Sequence, residues 1–151
     1  MISCDTRGLA RRVPGIAAAL LLTTVFSFPA LLHAQPVAVP QGTKCAECGM
    51  AVDQNSKFVS EVTTKDNKNL FFCDIGDMLF HFRSDREKMK DVHVKDYATG
   101  EWIDGEKALY VLNRKISTPM SWSIAAFAAE SSAKKWGDPA DFNGAFKLLQ
   151  R

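Results

Sequence analysis

Apolar and polar positions alternate along residues 57–64 (KFVSEVTT). Phe58, Ser60 and Val62 oppose Val59, Glu61 and Thr63, which predicts a strand with both faces partly used. Lys65-Asp66-Asn67-Lys68 is a polar turn, and residues 69–73 (NLFFC) read as the return strand of a hairpin. The period then changes. Ile75, Met78, Leu79 and Phe82 recur at i, i+3, i+4 and i+7, the stripe of an amphipathic helix that Asp74 caps and that runs to about Met89. Cys73 therefore falls at a strand-to-helix junction, beside helical N–H groups that stabilise a thiolate. Alternation resumes over residues 91–97 (DVHVKDY) and puts His93 on an exposed strand face. Residues 101–104 (EWID) and 108–112 (ALYVL) are further strand candidates, and residues 114–119 form a loop. Trp122, Ile124 and Ala126 alternate in a last strand over residues 121–127. Residues 128–136 read as a short helix ended by Gly137, and residues 139–151 as a short terminal segment with helical potential. Hairpins outnumber parallel crossovers in this order, ββα followed by strands and a short helix. The expectation is an α+β fold: one small domain with an antiparallel sheet.

The first 34 residues do not fit that domain. Arg7, Arg11 and Arg12 precede an apolar run over residues 15–34 (GIAAALLLTTVFSFPALLHA) that ends in a small residue. Positive flank, apolar stretch and small residue form the layout of a secretory signal, cleaved after Ala34. The rival reading is an uncleaved anchor, since about 20 apolar residues can span a bilayer. Pro29 and the small terminal residue favour removal, so membrane contact is expected only if the run stays. Residues 35–43 (QPVAVPQGT) are an extended linker because of Pro36, Pro40 and Gly42. The folded domain is then residues 44–151, and its expected location is the periplasm.

Composition narrows the function. A chain of 151 residues that is 46% hydrophobic and 24% charged can bury a core and is not disordered by composition. Its net charge of +2 comes from the N-terminal arginines, and the remainder is neutral overall. A neutral domain lacks the basic stripe that displaces counterions from nucleic acid, so no nucleic-acid partner is expected. No glycine-rich phosphate loop, paired carboxylates or nucleophile–base arrangement marks an enzyme.

Cysteine chemistry remains. Cys4 leaves with the signal, and Cys45, Cys48 and Cys73 stay, an odd number for an exported protein. Cys45-Ala46-Glu47-Cys48 has three readings: a redox dithiol, half of a metal site, or a local disulfide. The redox reading needs a low-pKa thiolate, usually at a helix start after a strand, whereas this motif follows a proline linker. A disulfide leaves Cys73 unexplained. The metal reading uses all the sulfur. Met50 adds a thioether within five residues of Cys45; zinc takes thioethers poorly, while soft Cu(I) accepts thiolate and thioether alike. Against this, a lone methionine or buried cysteine is commonly core. Cys45, Cys48, Cys73 and His81 would make an ordinary Cys₃His zinc site, with His81 otherwise a surface residue paired to Asp77.

The string KCAECGM, over Cys45 to Met50, resembles the metal motif of the NosL family, accessory proteins of nitrous-oxide reductase. Residues 69–82 (NLFFCDIGDMLFHF) resemble the family's strand-into-helix segment. Residues 101–112 (EWIDGEKALYVL) resemble its Trp-(Ile/Val)-Asp stretch, and residues 119–135 (PMSWSIAAFAAESSAKK) its late Met segment. The resemblance covers about residues 44–137. It implies an exported chaperone that binds one Cu(I) and delivers it toward the copper centres of nitrous-oxide reductase or a related cuproenzyme, working with a membrane ABC-type assembly complex. Carried onto matching positions, it implies Cys48, Met50 and Met120 as ligands, with Cys45 matching the members that have both cysteines. Two departures stand out. The sequence has no lipobox cysteine, and Ser121 stands where many members have Gly.

The mixed set of Cys45, Cys48, Met50 and Met120 would suit a carrier, since thioethers bind Cu(I) without deprotonation and can exchange one at a time. The rivals are a structural Zn²⁺ module for protein interaction and a thiol oxidoreductase.

Overall fold

The computed structural model describes residues 38–150, so the proposed signal segment lies outside the described residues. Six strands run antiparallel in two sheets. Strand β1 (Ser60–Thr64) pairs with β2 (Asn69–Phe72) through the expected polar turn, where Asn67 takes φ = 58°, a left-handed conformation that asparagine tolerates. Strand β3 (Met89–Lys95) pairs with the other edge of β1, and β4 (Trp102–Asp104) with β3, giving the order β2-β1-β3-β4. Strands β5 (Leu109–Leu112) and β6 (Ile124–Phe127) form the second sheet. A single bridge between Asp96 and Ala126 links the end of β3 to β6. The expected α+β architecture is the observed one.

Helix α1 (Ile75–His81) begins where its cap and apolar stripe predict. Asp74 caps it by accepting the Gly76 N–H at 2.9 Å, and Ile75, Met78, Leu79 and Phe82 are buried. These residues pack against Val62, Phe72, Val92, Val94, Tyr110 and Ile124 in the main core. The helix stops at His81, well short of the expected Met89. The apolar stripe ends at Phe82, and the Arg83 and Asp85 N–H groups turn to the carbonyls three residues back, Phe80 and Phe82, which tightens and ends the helix. A 3₁₀ turn (Arg86–Lys88) follows, and Met89 goes into β3 opposite Thr64. The last strand also starts later than the alternation implies, because Ser121 and Ser123 have φ of 61° and 59° and cannot join a ladder. Helices α2 (Glu130–Ala133) and α3 (Phe142–Leu148) complete the chain, and Asp141 caps α3 through the Gly144 N–H. Among the described residues no helix is long and apolar enough to cross a membrane.

His93 corrects its expectation. It lies opposite Glu61 in the β1–β3 register, its side chain is 12% exposed, and its Nδ1 is 3.4 Å from the buried Glu61 carboxylate. Strand alternation alone does not reveal that this sheet face is also covered.

Candidate metal centre

The segment containing Cys45 and Cys48 is a small hairpin of its own. Lys44 bridges Ala51, the Cys45 N–H donates to the Met50 carbonyl at 2.7 Å, and the Gly49 N–H donates to the Cys45 carbonyl at 3.0 Å. Gly49 sits at φ = 73°, where a side chain would be strained, and this reversal turns both cysteines to one side. The Ala46 N–H donates to the Phe71 carbonyl at 2.9 Å, which seats the hairpin against the end of β2. Cys73 is two residues beyond that contact. Asp77 lies one helical turn after Cys73, and i, i+4 spacing points its carboxylate back at the thiol.

Four groups therefore converge. The Sγ atoms of Cys45, Cys48 and Cys73 and a carboxylate oxygen of Asp77 all lie within 4.8 Å of one another. Cys48 and Cys73 Sγ are 3.5 Å apart, and the Cys45 and Cys73 thiols donate to Asp77 Oδ2 at 3.4 and 3.7 Å. Metal–thiolate bonds of about 2.3 Å in tetrahedral geometry separate the sulfurs by roughly 3.8 Å, so the thiols stand near coordinating distance. Three soft sulfurs suit a thiophilic ion such as Cu(I), and the set Cys₃Asp also has a composition that zinc accepts.

Electrostatics argue against an activated redox thiol. Burial pushes both the Cys48 and the Cys73 thiols above their ordinary value, opposite to the depression that marks a reactive cysteine. The expected stabilisation of a Cys73 thiolate by the helix start is thus outweighed: Asp74 already takes the Gly76 N–H, and Cys73 is buried beside two other thiols.

His81 does not join the four. Its Nδ1 is 2.8 Å from Glu47 Oε2, and its ring packs on Phe72 and Phe82. This corrects both expectations for it. Asp77, not His81, completes the cysteine group, and Glu47 of the Cys-x-x-Cys loop, not Asp77, is the partner of His81. Motif and periodicity do not mark Asp77 as a site residue, although its spacing from Cys73 is a usable signal.

A second chain segment closes over α1. Asp77 Oδ1 accepts the Trp122 indole N–H at 2.8 Å. Gly76 makes room for this ring, since a Cβ there would lie 2.0 Å from Trp122 Cγ. The Met120 N–H donates to Asp74 Oδ2 at 2.9 Å. Met120 is partly buried against the core, and with Leu112, Arg114, Ser121, Trp122, Leu148 and Leu149 it lines a cleft of about 270 Å³. Met50 is 52% exposed, just past the Gly49 reversal. Cys45 and Cys73 are buried and Cys48 is half-buried, so the group is closed on the core side and open toward Cys48.

A sequence profile described as NosL matches residues 36–146. The crystal structure of the copper chaperone NosL from Shewanella denitrificans shares the fold, with a TM-score of 0.62 at 24% identity over 72% of this chain and 93% of that one. A comparison with curated proteins gives no match. The departure at Ser121 has a structural reading, since φ = 61° is a conformation glycine adopts without steric cost. With its cysteine hairpin, its strand-to-helix junction and its late Met segment inside the matched span, the chain belongs to the NosL family.

Proposed function

We propose that this protein is a Cu(I) carrier and not an enzyme. The observation that carries the reading is the convergence of three cysteine thiols and one carboxylate within 4.8 Å, all buried except the half-buried Cys48. Family membership and the fold shared with a copper chaperone support it. Copper is the cargo. Cys45, Cys48 and Cys73 supply soft donors, and Met50 and Met120 supply thioethers that exchange with a partner's donors. The client is a cuproenzyme, nitrous-oxide reductase or a relative of it, reached with a membrane ABC-type assembly complex. Residues 1–34 act as an export signal and residues 35–43 as a linker, so that residues 44–151 work in the periplasm. The family match begins at residue 36, just past the proposed cleavage point, and takes in residues 36–43 as well.

Zinc is the second reading, because Asp77 beside three thiols completes a Cys₃Asp set. One anaerobic experiment separates the two. The reduced protein is titrated with Cu(I) against a chromophoric competitor, and with Zn²⁺ against a zinc indicator. One tight Cu(I) per chain, weakened by Met50→Leu or Met120→Leu and accompanied by weak zinc binding, is expected. Tight zinc without competitive Cu(I) binding would sink the carrier reading. If neither methionine replacement changes the affinity, the thioether part of the ligand set is wrong.

A further inference from the structure

Asp74 has no place among the four converging groups, yet its carboxylate is completely buried. Burying a carboxylate is costly unless hydrogen bonds compensate. One oxygen has an ordinary role, because Oδ1 caps α1 by accepting the Gly76 N–H at 2.9 Å. Serine, threonine or asparagine does that equally well. The second oxygen is what demands an aspartate. Oδ2 accepts the Met120 N–H at 2.9 Å, across 46 residues of sequence, and the Thr118 side chain also hydrogen-bonds this carboxylate.

The loop so held has little regular structure of its own at Ser121 and Ser123, where φ is positive, and it joins β6 only at Ile124. Two carboxylates one helical turn apart tie it down, Asp74 at the Met120 amide and Asp77 at the Trp122 indole. Asp77 belongs to the thiol group and Asp74 does not.

We infer that Asp74 is a positioning residue for cargo binding: through its second oxygen it holds the loop that carries Met120 over the first turn of α1, the helix that also carries Asp77 of the thiol group. The inference rests on the Cu(I) reading and on Met120 as a ligand. Asp74 touches no metal. It acts by fixing the backbone from which the thioether projects.

Asp74→Asn separates capping from loop holding. Asparagine keeps an oxygen for the Gly76 N–H but sets an NH₂ group against the Met120 N–H, donor against donor. Asp74→Ser is the second variant; it caps the helix but is too short to reach the loop. Cu(I) affinity is measured on the full chain for the wild type, D74N, M120L and the D74N/M120L double variant, with circular dichroism as the check of fold. X-ray absorption at the copper edge counts the sulfur neighbours. D74N is expected to weaken Cu(I) binding about 10-fold, the scale seen when a ligand's supporting partner is removed. In the M120L background it should change affinity less than about twofold, since the two then act as a unit. D74N and M120L should each lose one sulfur neighbour, and D74S should match D74N.

Equal weakening by D74N in both backgrounds, with the sulfur count unchanged, would reduce Asp74 to a helix cap and overturn the inference. So would full affinity in D74N and D74S. If M120L alone leaves affinity and sulfur count intact, the inference falls because Met120 is no ligand while the copper reading stands. If the wild type takes up no Cu(I), the copper reading itself fails.

Discussion

At the residue scale, the decisive feature is how the thiols hold their protons. Burial raises the Cys48 and Cys73 thiols above their ordinary value of 9.0, and nearby sulfurs contribute to the rise at Cys73. Both are therefore protonated in the metal-free protein at neutral pH, and a metal must displace those protons to bind. Cu(I) affinity is expected to rise with pH across the neutral range, by roughly a decade per unit for each proton displaced. Competitor titrations at several pH values measure that slope, and a flat profile would mean that the thiols are not ligands. The same shifts set a sign for stability. A thiol whose pKa is raised by folding stabilises the metal-free fold below its unfolded value, and that contribution is lost as pH climbs through and beyond about 9. Denaturant midpoints of the reduced, metal-free protein should therefore fall above pH 9.

At the scale of elements, the site is a meeting of one hairpin, one strand-to-helix junction and one loop. The helix start was legible in the sequence because Asp74 and the stripe of Ile75, Met78, Leu79 and Phe82 are local signals. The helix end was not, because residues 83–88 are all polar or charged and mark no boundary, and Met89, seven residues after Phe82, falls where a helix would also place an apolar residue. The docking of the late loop on α1 depends on a long-range fit at Gly76. A Cβ on residue 76 would meet Trp122 Cγ at 2.0 Å and Cβ at 2.3 Å, both on a side chain held by Asp77. Gly76→Ala should therefore expel the indole instead of stiffening the helix, at a cost of about 1–3 kcal/mol despite the better helix propensity of alanine. Thermal melts measure the cost, and a red-shifted tryptophan emission reports the exposed ring. An unchanged melting temperature and spectrum would show that the loop repacks freely.

At the scale of the whole molecule, apolar packing supplies two core clusters, the first of which also takes in Cys45 and Cys73. Val62, Phe72, Leu79, Val94, Tyr110 and Ile124 are buried in one cluster, while Val111, Ile116, Ala125 and Phe127 form another behind β5 and β6. A domain with such cores should stay folded with no metal bound, unlike a zinc module whose folding energy is the metal. Strong chelation is expected to lower the melting temperature without abolishing the cooperative transition. A ligand at 100 times its Kd adds about 2.7 kcal/mol, which for a domain of this size is a shift of roughly 10 °C or more. Loss of cooperative melting in chelator would instead favour structural zinc.

The sequence by itself determined what is encoded locally: the β1–β2 turn, the cap at Asp74, the helical stripe, the alternation of the strands and the soft chemistry of the Cys-x-x-Cys hairpin. Motif spacing also carried the family resemblance, since the residues that carry it recur in fixed order. Only the tertiary structure decided which groups share a site. Asp77 faces the thiols because α1 starts beside the seat of the hairpin on β2, and His81 is diverted to Glu47 because that loop folds over the end of the helix. His93 is mostly covered for a similar reason, lying on a sheet face that its alternation marked as exposed. Periodicity specifies which side of an element a residue occupies. What lies opposite that side is set by contacts between residues distant in sequence, and these form only when the elements pack.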